Sequence, residues 1–324
     1  LYLIDGSAYV YRAFHAIRSG LSNSRGLPTN AAFGFANMLN KLLAEKAPAA
    51  LVILFDMKGP TFRHEIYEAY KANRPPMPEE LGMQLPYIKE IVRGFNIPLF
   101  ELAGYEADDL IGTLARQAEA RGMSVVIVTG DKDFLQLVSE KTRIWDPMKD
   151  TFTDLSGVRK KFGIEPAQLV DVMGLSGDTS DNVPGVPGIG PKTALDLVKT
   201  FGSLDGLYQA VETIPLKKRQ ENLIRYRDQA YLSRNLVTIR TDAPIRLEPK
   251  ALRRTDPDAR ALASLFKELE FQELHRTFAG AVPRETPPKS YAAILDEAAL
   301  EALSGRLTRS RAFEIGRASC REKV

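Results

Sequence analysis

Three short apolar runs in the chain each end at or just before an aspartate. They are residues 1–4 before Asp5, 51–55 before Asp56, and 125–128 before Gly130 and Asp131. Apolar runs of this length between helical patterns are typical of buried parallel strands. Because the functional site of an open parallel sheet lies at the carboxyl ends of its strands, the pattern predicts several carboxylates along one sheet edge.

The first half of the chain alternates strands with helices. Hydrophobic periodicity predicts helices over 29–46, capped at Thr29 or Asn30, and over 84–94 and 107–121, with a short strand over 97–102. This alternation predicts an α/β domain over residues 1–155, built on a doubly wound or related mixed sheet.

The second half loses the strand pattern. Short helical patterns between Gly and Pro turns predict a helical subdomain over 156–277, and the proline-rich stretch 278–289 predicts a linker. Residues 290–313 restart a folded pattern that is too short to bury a core alone. Residues 314–324 depart from it, and we expect this tail to be non-native.

Composition narrows the class of protein. The chain has 324 residues, 44% of them hydrophobic, and a net charge of +3, so a basic surface would have to be local. No apolar run reaches the ~18 residues of a membrane span. We see no signal peptide and no cysteine before Cys320, so we expect a cytoplasmic location without disulfides or thiolate metal sites. The missing initiator Met indicates that the chain begins inside a longer reading frame.

Nine acidic residues on five segments form the candidate site. They are Asp5, Asp56, Glu106, Asp108, Asp109, Asp131, Asp133, Asp178 and Asp181. Any one of them can be explained as a helix cap or a turn residue. Together they would repel one another unless cations lie between them. An all-carboxylate set favours Mg²⁺ or Mn²⁺ over zinc, and two such ions suit phosphodiester hydrolysis.

Local spacing adds two geometric expectations for these acids. Asp131 and Asp133 can both face the cleft if Lys132 points away. Asp178 and Asp181 are three apart, so one helical turn would place them on the same face.

A glycine-rich turn follows the last acidic pair. Gly185, Gly188, Gly190, Lys192 and Thr193 resemble a phosphate loop, but Pro191 separates the last Gly from Lys192 and no strand precedes them. A plain helix–helix turn is possible, but the spacing favours a helix-hairpin-helix that binds DNA phosphates. The basic stretch 217–219, with Arg225 and Arg227, either extends this phosphate track or is a solvated helix face.

Residues 58–80 are charged and aromatic and end in a proline cluster, which is typical of a mobile segment over a site. Lys71 and Arg74, three apart on a predicted helix, can grip a phosphate from one face. Tyr11, in the first helix, either packs in the core or stacks on a terminal base. The aromatic residues of the charged segment, Phe62, Tyr67 and Tyr70, are interpreted as packing residues or as residues that stiffen the segment.

Six motifs recur in one known family in this order: LIDGSAYVYRAFHA, FDMKGPTFRHEIYEAYKANRPP, GYEADDLIGTLA, VTGDKDFLQLV, GDTSDNVPGVPGIGPKTA and AYLSRNLVTI. The chain resembles, over about residues 1–277, the 5′-nuclease (flap endonuclease) domain at the N-terminus of bacterial DNA polymerase I. Residues 290–313 look like the start of that protein's 3′–5′ exonuclease-like domain.

The resemblance implies a PIN-like 5′-nuclease fold, with a central mostly parallel sheet flanked by helices and a helix-hairpin-helix subdomain. It implies a first metal group of Asp5, Asp56, Glu106 and Asp108, with Asp109 beside them. The second group is Asp131, Asp133, Asp178 and Asp181. Lys71 and Arg74 match a helical arch over about 57–82, Tyr11 matches a stacking aromatic, and the 185–193 turn matches a duplex-binding motif that often holds K⁺.

The expected function is therefore two-metal, Mg²⁺-dependent 5′–3′ exonuclease and flap endonuclease action. The expected substrates are 5′-flapped DNA and RNA-primer junctions, and we expect a monomer. Alternatives are a non-catalytic DNA-binding module, a metal-dependent phosphatase and an RNA-directed nuclease. A cleavage assay on a 5′ flap, with Mg²⁺ or chelator, separates them.

Overall fold

The apolar runs form the centre of a single sheet. A computed structural model describes residues 1–17, 20–248, 252, 255–281 and 294–309. Its six-stranded sheet has the order β3-β2-β1-β4-β5-β6. The strands are β1 (Tyr2–Asp5), β2 (Leu51–Leu54), β3 (Leu99–Phe100), β4 (Val125–Val128), β5 (Thr142–Asp146) and β6 (Thr151–Thr153).

The three acid-terminated strands are neighbours. Leu3 on β1 pairs with Val52 on β2 and with Ile127 on β4, and both pairings are parallel. All three side chains are fully buried. Only β6 runs antiparallel to its neighbour. The expected α/β fold with a mostly parallel sheet is therefore confirmed, and the ends of β1, β2 and β4 lie side by side.

Helices cover both faces of this sheet. They are α1 (Gly6–Ala16), α2 (Asn30–Lys46), α3 (Phe62–Ile66), α4 (Glu79–Gly94), α5 (Ala107–Ala120) and a 3₁₀ helix (Lys132–Leu137). Helices α1, α2 and α4 pack with Ile4 and Ile53 on one face. Helix α5 packs with Leu3 and Val52 on the other. The alternation of strand residues between the two cores follows from the period-two geometry of a strand.

The second half is helical. Its helices are α6 (Leu155–Phe162), α7 (Leu169–Ser176), α8 (Pro191–Phe201), α9 (Leu204–Gln209), α10 (Lys217–Arg225) and α11 (Arg227–Val237), with 3₁₀ helices at Pro166–Gln168 and Val211–Thr213. Leu175, Val198 and Leu223 belong to the same buried cluster as α5 and the sheet. The helical part therefore continues the core of the α/β part.

Two further helices return to the opposite face of the sheet. These are α12 (Ala259–Glu268) and α13 (Gln272–Ala281). Phe266 and Phe278 pack with Phe95, which follows α4. Helix α13 continues to Ala281, so residues 278–281 are helical where a linker was expected. Phe278 anchors this last turn because its side chain is buried. The rest of that predicted linker lies outside the described residues.

The segment between β2 and α4 differs from the arch helix that was expected over about 57–82. Between β2 and the start of α4 at Glu79, the chain is α-helical in α3 alone, and turns follow α3. Lys71 has φ +56°, which a helix cannot contain. Pro75 and Pro76 prevent helical hydrogen bonding just beyond Arg74. We refer to residues 57–82 as the arch segment.

The chain divides into two compact units, Leu1–Val282 and Pro283–Val324. The described part of the second unit contains α14 (Glu297–Arg309), whose first turn is capped by Asp296. The remainder of the predicted domain start, the tail 314–324 and Cys320 lie outside the described residues. None of the helices described is both long and apolar enough to cross a bilayer.

The helical hairpin α12–α13 should be essential to the stability of the first unit. A chain ending at residue 258 loses Leu262, Phe266, Phe271 and Phe278. Each is buried in the core that α1, α2 and α4 form against one face of the sheet. Burial of each such side chain stabilises by about 1.5–3 kcal/mol. We expect this chain to unfold at a clearly lower urea concentration than one ending at 281, followed by circular dichroism. The 281 chain should match the full chain, and equal midpoints for 258 and 281 would contradict the prediction.

Candidate active site: an acidic cleft at the carboxyl edge of the sheet

The ends of β1 and β4 present two aspartates to one edge. Asp5 caps α1, accepting a hydrogen bond from the Ala8 amide (2.9 Å). The Thr129 hydroxyl donates to Asp5 (3.1 Å) and accepts from the Asp131 amide (3.1 Å). Thr129, which the sequence analysis missed, therefore fixes the two strand-end acids relative to each other.

The end of β2 is joined to the start of α5. The Asp56 carboxylate accepts a hydrogen bond from the Ala107 amide (2.8 Å). The Asp56 amide donates to the Ser7 hydroxyl (2.9 Å) at the start of α1. Asp56 thus brings the helix that carries Glu106 and Asp108 to the same edge as Asp5.

Glu106 lies where α5 meets the arch segment. Its carboxylate accepts hydrogen bonds from the Lys71 ammonium (2.6 Å) and the Tyr70 hydroxyl (3.1 Å). The Tyr70 hydroxyl also contacts Asp181 (3.3 Å). The interpretation of Tyr70 as a packing residue is therefore incomplete, because its ring is buried while its hydroxyl joins two acids of the cleft.

Asp109 does not belong with the acids of the cleft. Both of its oxygens pair with the Arg63 guanidinium at 2.8 Å, and both residues are buried. It also accepts from the amides of Glu106 and Arg240. Since its carboxylate is saturated, the expectation that it binds metal is wrong. No spacing in the sequence identified Arg63 as its partner.

Asp131 and Asp133 flank the start of the 3₁₀ helix. Asp131 caps it, accepting from the Asp133 amide (2.9 Å). Lys132 does not point away as expected, because its ammonium lies 2.9 Å from Asp178. One oxygen of Asp133, Oδ1, is buried without a hydrogen-bond partner.

Asp178 and Asp181 lie on a tight turn, not on one helical turn as expected. Asp178 and Val183 exchange backbone hydrogen bonds of 2.7 and 3.0 Å across it. Asp178 also accepts from the amide and hydroxyl of Ser180. Asp181 pairs with Arg74 and lies 3.7 Å from the Lys71 ammonium. The turn therefore faces the arch segment directly.

Two glycines allow this turn to form. Gly177 and Gly185 precede and follow it, with φ of +70° and +60°. Their backbones touch, so a Cβ on Gly185 would lie 2.3 Å from the Gly177 nitrogen. A side chain at either position would separate the strands of the turn and displace both aspartates.

Burial and repulsion between carboxylates raise the pKa values of three of the acids. Burial, with the charges of Asp5, Glu106 and Asp56, raises the pKa of Asp108 well above its usual range. Burial, with the charge of Asp131, raises the pKa of Asp133 to about 7.

The pKa of Asp5 is also raised to about 7, by burial and by Asp56. Asp178 behaves differently. Burial would raise its pKa, but hydrogen bonds from Ser180 and Lys132 lower it on balance.

Five of the candidate acids line one cavity, whereas Asp5, Asp56 and Asp131 are not among its lining residues. Its lining includes Glu106, Asp108, Asp133, Asp178 and Asp181. In the described part of the chain, no three metal-binding side chains already converge on one point. The donor set nevertheless fits hard divalent cations, since it is entirely carboxylate and includes the unpartnered Asp133 oxygen. A cation would relieve the repulsion that raises the pKa values.

Tyr11 lies beside the cleft on α1. Its side chain is 37% exposed. Burial raises the pKa of its hydroxyl, Arg74 lowers it and Asp56 raises it, which places the ring near both charges.

The glycine-rich turn connects α7 to α8. Val186 and Ile189 are buried, whereas Gly188 and Gly190 are exposed. Side chains of α10 and α11 support the loop, with Asn222 donating to the Pro187 carbonyl and Gln229 to the Gly185 carbonyl. Lys192 and Thr193 occupy the first turn of α8. The loop thus exposes the start of α8, as a helix-hairpin-helix requires.

Comparison with known proteins identifies two matching family models. The "5′-3′ exonuclease, N-terminal resolvase-like domain" matches residues 1–163, and the "5′-3′ exonuclease, C-terminal SAM fold" matches residues 164–260. A 5′-3′ exonuclease of Aquifex aeolicus is 43% identical over 274 residues, which cover 85% of this chain and 93% of that protein.

DNA polymerase I of Chloroflexus aurantiacus is 49% identical over 280 residues, covering 84% of this chain and 29% of the polymerase. The chain spans about a third or less of the polymerases it matches. The structure of bacteriophage T5 flap endonuclease in complex with DNA and metal ions has a TM-score of 0.60 at 19% identity. It covers 86% of this chain and 97% of that one, which shows the shared fold.

The contact between Gly177 and Gly185 yields a direct test. Gly185→Ala should lower the free energy of unfolding by about 2 kcal/mol or more, because the new Cβ meets backbone at a positive φ. Gly190→Ala is the matched control, since its φ is −85° and nothing lies within 4 Å of an added Cβ. Urea unfolding measures both, and equal stability of the two variants would refute the close contact.

Proposed function

The chain belongs to the 5′-3′ exonuclease family, and from this premise we propose that it hydrolyses phosphodiesters near the 5′ end of branched DNA. In this proposal it is the 5′-nuclease part of a bacterial DNA polymerase I. Its substrates are 5′ flaps and RNA-primer junctions, as in primer removal and nick translation. The observation that carries the proposal is the cavity lined by five carboxylates from three segments, with lysine and arginine side chains at its border.

Two divalent cations, Mg²⁺ or Mn²⁺, fit the two acidic groups. Asp5, Asp56, Glu106 and Asp108 would hold one ion. Asp131, Asp133, Asp178 and Asp181 would hold the other. When bound, such a pair activates water and stabilises the leaving 3′ oxygen. The T5 flap endonuclease structure contains metal ions as well as DNA, which supports the assignment.

The cations of the arch segment would then act on the substrate. Lys71 and Arg74 neutralise Glu106 and Asp181 in the described structure. With divalent ions on those carboxylates, the two side chains can turn to the scissile phosphate and stabilise its negative charge. Tyr11, which is partly exposed, would stack on the terminal base and orient it.

Duplex DNA would dock on the helical part. The exposed Gly188 and Gly190, and Lys192 at the start of α8, form a phosphate site in which backbone amides and a cation act together. The supported loop can also hold K⁺ through its carbonyl groups. Lys217, Lys218 and Arg219 in α10 would extend the phosphate track. Such contacts read the backbone of DNA without reading its sequence.

Removing one acid tests the metal assignment. Asp131→Ala should lower cleavage of a 5′-flap substrate in Mg²⁺ by more than about a hundredfold, since even partners of metal ligands cost 10–100-fold. Flap binding in Ca²⁺, measured by fluorescence anisotropy, should remain close to that of the wild type. Asp256→Ala, on an exposed loop before α12, is the control.

Three outcomes separate the alternatives. Full activity of Asp131→Ala would refute the metal assignment. If the wild-type protein binds the flap but does not cleave it in Mg²⁺, a non-catalytic DNA-binding module would be favoured. Hydrolysis of a generic phosphomonoester but not of DNA would favour a phosphatase. RNA substrates in the same assay measure the RNA activity that the proposal includes.

The phosphate site on α8 is tested by salt dependence. Lys192→Ala should weaken flap binding and reduce the slope of log K against log salt by about one, the signature of one lost phosphate contact. Lys149→Ala, an exposed lysine paired with Asp146, should leave the slope unchanged. An unchanged slope in Lys192→Ala would remove this residue from the DNA interface.

A further inference from the structure

Lys132 connects two acid-bearing segments that come from different halves of the first unit. Its ammonium lies 2.9 Å from Oδ2 of Asp178. Lys132 belongs to the 3₁₀ helix after β4, whose start also carries Asp131 and Asp133. Asp178 opens the tight turn that leads to Val183. The ion pair therefore joins the sheet edge to the helical part at the cleft.

The tight turn is held differently on its other side. The arch segment contacts the turn through uncharged hydrogen bonds as well as ion pairs. The Lys71 amide donates to the Asp181 carbonyl (2.9 Å), and the Asn73 side chain donates to the Thr179 carbonyl (2.6 Å). On the β4 side, Lys132 supplies the charge that draws Asp178 toward Asp131 and Asp133. Removing that charge leaves the arch contacts intact.

The two members of the ion pair differ in exposure. The Asp178 side chain is 6% exposed, whereas that of Lys132 is 69% exposed. An ammonium on a flexible, exposed stem can leave with little loss of packing. Lys71, by contrast, is 21% exposed and also contacts Asp181. Lys132 is therefore exchanged at lower cost than Lys71.

The carboxylate oxygens of Asp178 and Asp133 show which atoms a divalent cation could use beside Lys132. Oδ1 of Asp178 is occupied by Ser180, so Oδ2 is the oxygen that Lys132 holds. Oδ1 of Asp133 is buried and has no partner. A divalent cation that uses Asp178 together with Asp133 must share or take the oxygen that Lys132 occupies.

We propose that Lys132 is a positioning residue and a resident counter-ion: it aligns Asp178 with the β4 acids before a divalent cation binds, and it competes with that cation afterwards. The inference rests on the proposed two-metal function. It assigns to Lys132 the setting of cation affinity in the second acidic group, a role separate from that of the phosphate-facing Lys71 and Arg74.

Cation binding to the full chain tests the competition. Free Mn²⁺ is measured by electron paramagnetic resonance during a titration of the wild type, Lys132→Gln, Lys132→Arg and Lys149→Gln. Loss of a charge this close to a ligand should tighten the weaker Mn²⁺ site about tenfold in Lys132→Gln. Lys132→Arg keeps the charge, and Lys149→Gln removes an exposed lysine paired with Asp146 outside the cleft. Both should bind Mn²⁺ like the wild type.

The alignment is tested by thermal unfolding in excess EDTA. Lys132→Gln should melt below the wild type and below Lys149→Gln, and saturating Mn²⁺ should remove the difference. Unchanged or weaker Mn²⁺ binding in Lys132→Gln would overturn the competition. An unchanged melting temperature in EDTA would overturn the alignment.

A parallel titration of Asp131→Ala separates this inference from the proposed function. If the wild type binds no Mn²⁺, or Asp131→Ala binds it equally well, the metal assignment fails and the Lys132 role fails with it. If Asp131→Ala loses an ion while Lys132→Gln binds like the wild type, only the role of Lys132 is refuted.

Discussion

Repulsion among carboxylates in a partly buried cleft is the constraint on which the rest of this structure depends. Burial and neighbouring charges raise the pKa of Asp5, Asp108 and Asp133, so this edge of the sheet is unfavourable without positive charge. Helix N-termini supply part of it, since Asp5 caps α1 and Glu106 caps α5. Side chains supply the rest. Under the proposed function, the same deficit of positive charge would attract the divalent cations.

The fold converts this repulsion into an ordered site by fixing several of the acids through hydrogen bonds from backbone and side-chain groups. Thr129 and the amide of Ala107 fix the strand-end aspartates. The buried Arg63 binds Asp109 and the carbonyls of Leu236 and Thr238, so α3, α5 and the end of α11 form one unit beside Glu106. Breaking a buried pair of this kind typically costs 3–5 kcal/mol. Arg63 also lies 3.3 Å from Glu106 and lines the cavity, so the pair that holds Asp109 borders the cleft itself.

Several contacts at the site follow from the sequence, and others do not. The apolar runs were sufficient to predict β1, β2 and β4 as buried parallel strands of one sheet, because such runs are typical of strands covered on both faces. Their direct adjacency is seen only in the structure. The spacing of Lys71 and Arg74 was misleading, since it suggested a helix where backbone turns and two prolines prevent one. Asp109 was grouped with the metal acids because it adjoins Asp108. Its orientation toward Arg63 depends on a contact between residues 46 positions apart.

The amino-acid sequence by itself determined the strands β1 to β4 with helices between them, the acid at the end of each central strand and the glycine-rich turn before α8, whereas β5 and β6 were not predicted. The predicted features are local properties, fixed by side-chain periodicity and by backbone freedom. Only the tertiary structure decided which acids share the cavity and which cation neutralises each of them. It also decided that α12 and α13 complete the core formed by α1, α2 and α4 against the sheet. Those outcomes depend on distances between segments far apart in the chain, and no local pattern encodes them, because a side chain's partner is set by packing after the elements have formed.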